Sequence, residues 1–119
     1  MRYMLLIYGD ESGWGNLSEE QAQAEMQKWY AYTEEMRAAG VSEHGEALQP
    51  TATATTVRSK NGEPIVTDGP FAETKEQLGG YYMLNVADLD EAIKWAAKCP
   101  GASAGKIELR PIQEFPDAP

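Results

Sequence analysis

The sequence predicts a single α+β domain over residues 1–119, with two helices packed on one face of a mainly antiparallel sheet. Two observations predict this class. Segments with the spacing of amphipathic helices alternate with β-rich segments in the order β-α-β-(β)-β-α-β. The first strand is apolar on both faces, which is typical of a central strand covered on two sides. A chain of 119 residues is long enough for one core and too short for two.

The chain begins with a strand followed by a long helix. Residues 2–8 are β-rich and apolar. Ser18 is the predicted N-cap of the helix, because Gln21 stands three residues later and completes a capping box. Apolar residues then recur at helical spacing for about 20 residues. Gly40 predicts the end of this helix.

The middle of the chain predicts a hairpin. Residues 41–50 are polar and are assigned to no strand. Residues 51–59 alternate small and β-branched side chains and predict a strand. The pair Asn61-Gly62 is the strongest short hairpin signal, and residues 64–67 form the predicted return strand.

The last third predicts strand, helix and strand. Residues 81–86 read as a strand, Asp88 caps a second helix with Glu91 as its capping-box partner, and residues 106–112 alternate as a final strand. This order is the ferredoxin-like, split β-α-β sandwich with an extra hairpin.

The composition of the first strand predicts a homodimer. Helices on one side of the sheet can cover only one of its two alternating sets of side chains. The other set needs a second cover, and a second copy of the chain is the simplest candidate. We therefore expect two chains to pack sheet to sheet. The two sets are Tyr3, Leu5 and Ile7, and Met4, Leu6 and Tyr8.

Charge and composition exclude several classes of partner. Ten Lys and Arg against nineteen Asp and Glu leave a net charge of -9, which argues against nucleic acid and against an anionic membrane surface. No apolar run approaches the length of a membrane span, and no signal peptide is recognised, so we expect a cytoplasmic protein. The lone Cys99 is expected to be a packing residue. No cofactor motif is present, and none is predicted.

One run of residues carries a family resemblance. Residues 67–82 read Thr-Asp-Gly-Pro-Phe-Ala-Glu-Thr-Lys-Glu-Gln-Leu-Gly-Gly-Tyr-Tyr. This run resembles the DGPF motif of the YCII-related domain family. The flanking segments at residues 46–48, 54–58 and 108–112 also resemble the family's pattern. The resemblance extends over nearly the whole chain.

The resemblance implies a fold, and less about function. It implies a ferredoxin-like fold that dimerises through its sheets as a dimeric α+β barrel, with a cleft in each protomer. One branch of the family eliminates halide from chloro-aromatic compounds with a His–Asp pair, and some DGPF members accompany sigma factors. That branch places its His on the first helix. The corresponding helix here contains no His, so this pair cannot be transferred to the chain.

Five ionisable residues are the candidate site. Asp68 could act as a base, although an Asp before Gly-Pro can equally fix the turn through backbone hydrogen bonds. Glu73 and Lys75 could form a charged cleft wall or a solvated ion pair. His44 is the only imidazole of the chain and could transfer protons or be an exposed loop residue, while Glu46 occupies a position expected to face the cleft.

Two functions stay open at this point. In the first, the chain is a small-molecule enzyme that performs proton abstraction or elimination with a carboxylate-rich cleft. In the second, it is a non-catalytic dimeric module that binds a small-molecule ligand or serves a sigma-factor regulatory system. Carboxylates converging in a deep pocket would favour the first, and an exposed Glu73 and Lys75 would favour the second.

Overall fold

The computed structural model describes residues 1–116 and contains a four-stranded sheet with helices on one face, together with a separate two-stranded hairpin. The elements follow one another as β1 (Arg2–Gly9), α1 (Ser12–Gly15), α2 (Glu19–Ala38), β2 (Ser42–Ala47), β3 (Thr55–Lys60), β4 (Glu63–Asp68), β5 (Gln77–Asn85), α3 (Leu89–Lys98) and β6 (Lys106–Pro111), with short 3-10 helices at Thr51–Thr53 and Pro100–Ala102.

The order of the sheet confirms the predicted fold. The strands lie in the order β2-β5-β1-β6, and every neighbouring pair is antiparallel. The parallel strands β1 and β2 therefore have β5 between them and are joined through α2. The parallel strands β5 and β6 have β1 between them and are joined through α3. This is the ferredoxin-like, split β-α-β arrangement, and the β3–β4 hairpin is inserted between its two halves.

Side-chain caps begin both long helices as predicted. The Ser18 side chain accepts a hydrogen bond from the backbone N–H of Gln21, and the Gln21 side chain accepts one from the backbone N–H of Ser18. At α3, the carboxylate of Asp88 accepts from the N–H of Glu91. The Glu91 carboxylate accepts a hydrogen bond from the N–H of Ala87, whereas a capping box would use the N–H of Asp88, one residue later. These bonds satisfy N–H groups that a helix start leaves unpaired.

The core lies between the helices and one face of the sheet. Leu5 of β1, Leu84 of β5 and Met36 of α2 are fully buried there. The Tyr32 hydroxyl donates to the carbonyl of Trp95 and so joins α2 to α3 at 2.6 Å. Cys99 is 3% exposed within the same core, which confirms its predicted packing role.

The prediction was wrong about the strand that follows the long helix. It assigned that strand to residues 51–59, whereas the structure places β2 at Ser42–Ala47 and pairs it with β5. This segment escaped recognition because it is polar and contains Gly45, as suits an edge strand with little buried surface. Residues 55–60 pair instead with β4 in the separate hairpin.

The β3–β4 hairpin, residues 55–68, stands away from the body and is called the arm below. Its turn confirms the predicted Asn-Gly hairpin, because Asn61 and Gly62 have φ of 53° and 80°. The arm makes few contacts with the other elements. The radius of gyration is 16.6 Å, against about 13.5 Å for a compact domain of this length. The protein is therefore a flat body with a projecting arm.

A close backbone approach fixes the pairing of β2 with β5. A Cβ atom at Gly80 would lie 2.7 Å from the carbonyl oxygen of Glu46, whereas a Cβ atom at Gly79 would meet nothing closer than 3.9 Å. Two neighbouring glycines therefore have different roles. Of these two, Gly80 is the one that lets the edge strand β2 reach its place in the sheet, and Gly45 of β2 contributes to the same approach, because its Cβ atom would lie 2.7 Å from the carbonyl oxygen of Tyr81.

Replacing these two glycines separately tests that difference. We expect Gly80→Ala to lower the free energy of unfolding by about 1–3 kcal/mol, because the added methyl group pushes against backbone. Gly79→Ala is the matched control and should change it by less than about 0.5 kcal/mol. Urea unfolding followed by circular dichroism measures both. Equal losses in the two variants would contradict this account of the β2–β5 contact.

Candidate functional site

The face of the sheet opposite the helices carries apolar side chains that are mostly only partly buried in one chain. We call it the open face. The strand register places Met4 of β1 beside Met83 of β5, and Leu6 of β1 beside Tyr81 of β5. Paired residues of an antiparallel sheet share a face, so these four form one apolar centre. Met83 is 7% exposed and is the one buried hydrophobic residue of residues 1–116 outside the main core.

One edge of the open face carries the imidazole and a carboxylate. His44 and Glu46 alternate with Gly45 along β2 and lie opposite Met83 and Tyr81. The His44 Nδ1 atom lies 3.1 Å from the Tyr81 hydroxyl oxygen, and the two rings meet edge to face. The structure therefore brings two of the five predicted site residues, His44 and Glu46, to the same edge of the open face.

The basic side chains of the opposite edge are already neutralised. Arg110 of β6 pairs with Glu108 at 2.6 Å, and this hydrogen bond lowers the pKa of the Glu108 carboxyl. Lys106 of β6 pairs with Glu76 at 2.6 Å. Arg110 lies opposite Met4 and Glu108 lies opposite Leu6 in the strand register, so the pair borders the apolar centre. Both bases of the β6 edge therefore already have an acidic partner.

The other three predicted residues lie at the base of the arm and beyond it. Asp68 is the last residue of β4, and Glu73 and Lys75 follow in an irregular segment; all three side chains are exposed. Within residues 1–116 no three His, Cys, Asp or Glu side chains converge as a metal-binding group. Asp68, Glu73 and Lys75 thus remain predictions, separate from the pair on β2.

The turn after Asp68 is held by groups other than its carboxylate. The N–H of Gly69 donates to the carbonyl of Ala54 at 2.7 Å, and the Thr56 hydroxyl donates to the carbonyl of Gly69 at 2.7 Å. Gly69 has φ of 96°, in the left-handed region that favours glycine. The motif therefore has a structural role at Gly69, and within residues 1–116 no hydrogen bond or ion pair involves the Asp68 carboxylate.

Sequence reasoning missed Tyr81 as a member of the site. The segment Tyr81-Tyr82 was treated only as part of a strand. Because side chains alternate across a strand, one tyrosine must face each side. Tyr82 faces the helices and bonds Thr33 at 2.7 Å, while Tyr81 faces His44. The alternation of side chains predicts that Tyr81 and Tyr82 lie on opposite faces of the sheet. Placing Tyr81 beside His44 also requires the β2–β5 register, which the sequence alone did not provide.

The buried thiol is not part of this site. Burial raises the pKa of the Cys99 thiol, which disfavours the thiolate that a nucleophile needs. Tyr82 likewise has its pKa raised by burial. Neither group can reach a ligand on the open face, since both belong to the helix side of the sheet.

Comparison with known proteins identifies the family of this chain. The fold and the uncovered sheet face define a small α+β protein. The YCII-related domain matches residues 1–116, so the chain belongs to the YCII-related domain family. An uncharacterised protein of Rhizobium meliloti (strain 1021) is 42% identical over 114 residues, which cover 94% of this chain and 92% of that protein. Among the residues that the structure describes, no helix is both long and apolar enough to cross a membrane.

The buried thiol predicts how stability depends on alkaline pH. The folded state holds the Cys99 proton above the thiol's ordinary pKa of 9.0, while the unfolded chain releases it. The free energy of unfolding should therefore fall as the pH rises above about 9, because the unfolded state then binds fewer protons. Urea unfolding at about pH 8 and about pH 10 measures this fall. Cys99→Ala should show a smaller fall, and an unchanged pH dependence would contradict the assignment.

Proposed function

We propose that the protein is a homodimeric small-molecule-binding module whose ligand lies between two open faces. The observation that carries this proposal is the apolar centre of the open face, whose side chains are mostly only partly buried, with a polar edge of His44, Tyr81 and Glu46. Apolar surface with a few convergent polar groups is the usual composition of a ligand site. A single chain offers this surface only as a shallow face, so a second chain is needed to enclose it.

Charge on the two edge strands supports a particular pairing. On the open face, β2 contributes the carboxylate of Glu46, whereas on β6 Lys106 is balanced by Glu76 and Arg110 by Glu108. A two-fold axis that lays β2 of one chain near β6 of its partner places Glu46 against this balanced edge and so avoids repulsion between carboxylates. The reverse arrangement would place Glu46 near its own copy.

The chemistry of the face selects a class of ligand. The apolar centre suits a flat aromatic or aliphatic group. The bases at the β6 edge are paired with Glu108 and Glu76, whereas Glu46 is exposed. We therefore expect an aromatic compound with a hydroxyl or amino donor, and we expect aromatic carboxylates to bind more weakly. Such a module would also suit a ligand-sensing accessory of a regulatory system.

A second candidate is a proton-transfer or elimination enzyme. The hydrogen bond between His44 and Tyr81 favours it, because an imidazole paired with a phenol can act as an acid–base couple. Glu46 would then orient the donor group of the substrate. Asp68, Glu73 and Lys75 would take part only if a second chain carried them to the open face. The binding module is preferred because the five predicted residues lie in two separate groups within one chain.

The dimer is tested by charging the open face. Leu6→Lys should yield a folded monomer, since a buried lysine at the sheet–sheet contact is costly. Ile93→Lys is the matched control, because Ile93 is a 49% exposed aliphatic residue on helix α3. This variant should keep the mass of a dimer. Sedimentation equilibrium measures the mass, and a wild-type chain that stays monomeric would refute the proposed dimer.

Ligand class is tested with small aromatic probes. Phenol, aniline and benzoate should be compared by saturation-transfer NMR on the wild-type protein. We expect signals from phenol and aniline, and a weaker one from benzoate. Glu46→Gln and Tyr81→Phe should each weaken the binding of phenol about 3- to 10-fold, as expected for loss of one hydrogen-bonding group. Asp68→Asn is the control and should leave it unchanged. Equal binding of all three probes to every variant would contradict the proposed site.

A further inference from the structure

We propose that the arm of each chain packs on the second chain of the dimer. This inference rests on the sheet-to-sheet dimer proposed above and adds a second contact to it. The occupant of the arm's apolar surface is thus another copy of this chain. Two properties of the arm support the inference, its exposed apolar face and its lack of net charge. The third support is the area that a stable dimer requires.

The arm displays apolar side chains that its own chain leaves in solvent. Val57 and Val66 lie directly opposite each other in the hairpin, so they share one face, and each is 61% exposed. Phe71 follows just beyond the arm and is 90% exposed. Ile65, on the other face, is partly buried. The exposed apolar residues are therefore confined to one side of the arm and its outgoing segment.

The arm receives little support from the body of its own chain. It pairs only with itself and makes few contacts with the main sheet and helices. An isolated two-stranded hairpin is marginally stable at best in water. A surface that covers Val57 and Val66 would stabilise the hairpin as well as the assembly.

The distribution of charge favours a second copy as the partner. Arg58 and Lys60 balance Glu63 and Asp68, so the arm is neutral and the net charge of -9 lies on the rest of the chain. A neutral arm can approach an acidic body without the repulsion that two acidic bodies exert on each other. An arm adapted to nucleic acid would instead carry an excess of Lys and Arg.

The area of the open face alone falls short of a stable dimer. Four strands about 4.8 Å apart, each contributing about six residues at about 3.3 Å, span roughly 400 Å². Two such faces have a planar area of roughly 800 Å², whereas specific, stable interfaces bury about 1,200–2,000 Å² of accessible surface. Additional surface is needed, and the arm supplies exposed apolar surface outside the open face.

The position of the arm matches this requirement. It is inserted between β2 and β5, and β2 is the edge strand proposed to lie near β6 of the partner. A groove of about 340 Å³ follows β6 from the open face to its outer border at Pro111, Ile112 and Gln113. The exposed valines of one arm would meet this outer border on the other chain, beside the area that the two open faces cover.

Adjacent residues of β4 provide a matched test. Val66→Lys places a charge on the exposed apolar face of the arm, and Thr67→Lys places the same charge one residue away on the opposite face. We expect Val66→Lys to raise the Kd of the dimer at least about tenfold and Thr67→Lys to change it less than about twofold. Sedimentation at several concentrations gives each Kd, and circular dichroism confirms that the variants are folded.

A second variant distinguishes a lost contact with the partner from damage to the hairpin itself. Phe71→Ser alters a side chain outside both strands that is 90% exposed, and it should raise the Kd about threefold or more. Equal Kd values for wild type, Val66→Lys and Phe71→Ser would overturn the role of the arm while leaving the sheet-to-sheet dimer intact. A monomeric wild-type protein would overturn both.

Discussion

The structure depends on a central strand that is apolar on both faces. Leu5 and its neighbours on one side of β1 are covered by α2 and α3, whereas Met4 and Leu6 on the other side are only partly buried by their own chain. Burial of apolar surface is the main favourable contribution to folding and association. A ferredoxin-like chain with this strand at its centre therefore still has apolar side chains on one sheet face that a second layer can bury. The open face, the proposed dimer and the proposed ligand position all follow from that constraint.

The positions of the polar residues around the open face determine which ligand it suits. His44 is exposed and lies on an edge strand, yet its contact with Tyr81 turns it toward the apolar centre. Glu46 lies on the same face, while the basic residues of β6 are held by acidic partners. The result is an apolar surface with one acidic edge, which favours a ligand that donates hydrogen bonds. The Asp-Gly-Pro-Phe segment adds to this only through the turn at Gly69 and the exposed Phe71.

Sequence patterns predicted the fold well where burial is strong and poorly where it is weak. The helix caps at Ser18 and Asp88 and the Asn61-Gly62 turn were recognisable because each depends on local chemistry. Strand β2 was missed because an exposed edge strand needs no apolar alternation and is held by Gly80 of its neighbour. The same error affected the candidate site, because without β2 His44 is read as a loop residue and no partner for Tyr81 can be identified. Sequence patterns alone did not give the register between β2 and β5.

Solvent access to methionine methyl groups tests the central claim most directly. Met26 is 39% exposed on α2, Met36 is fully buried, and Met4 lies on the open face, so one NMR spectrum contains its own standards. A soluble paramagnetic probe should broaden Met26 and spare Met36. We predict that Met4 behaves like Met36 at concentrations where the chain is dimeric and is broadened on dilution. Broadening of Met4 to the extent of Met26 at every concentration would contradict the account, because the open face would then be in contact with water and not with a second chain.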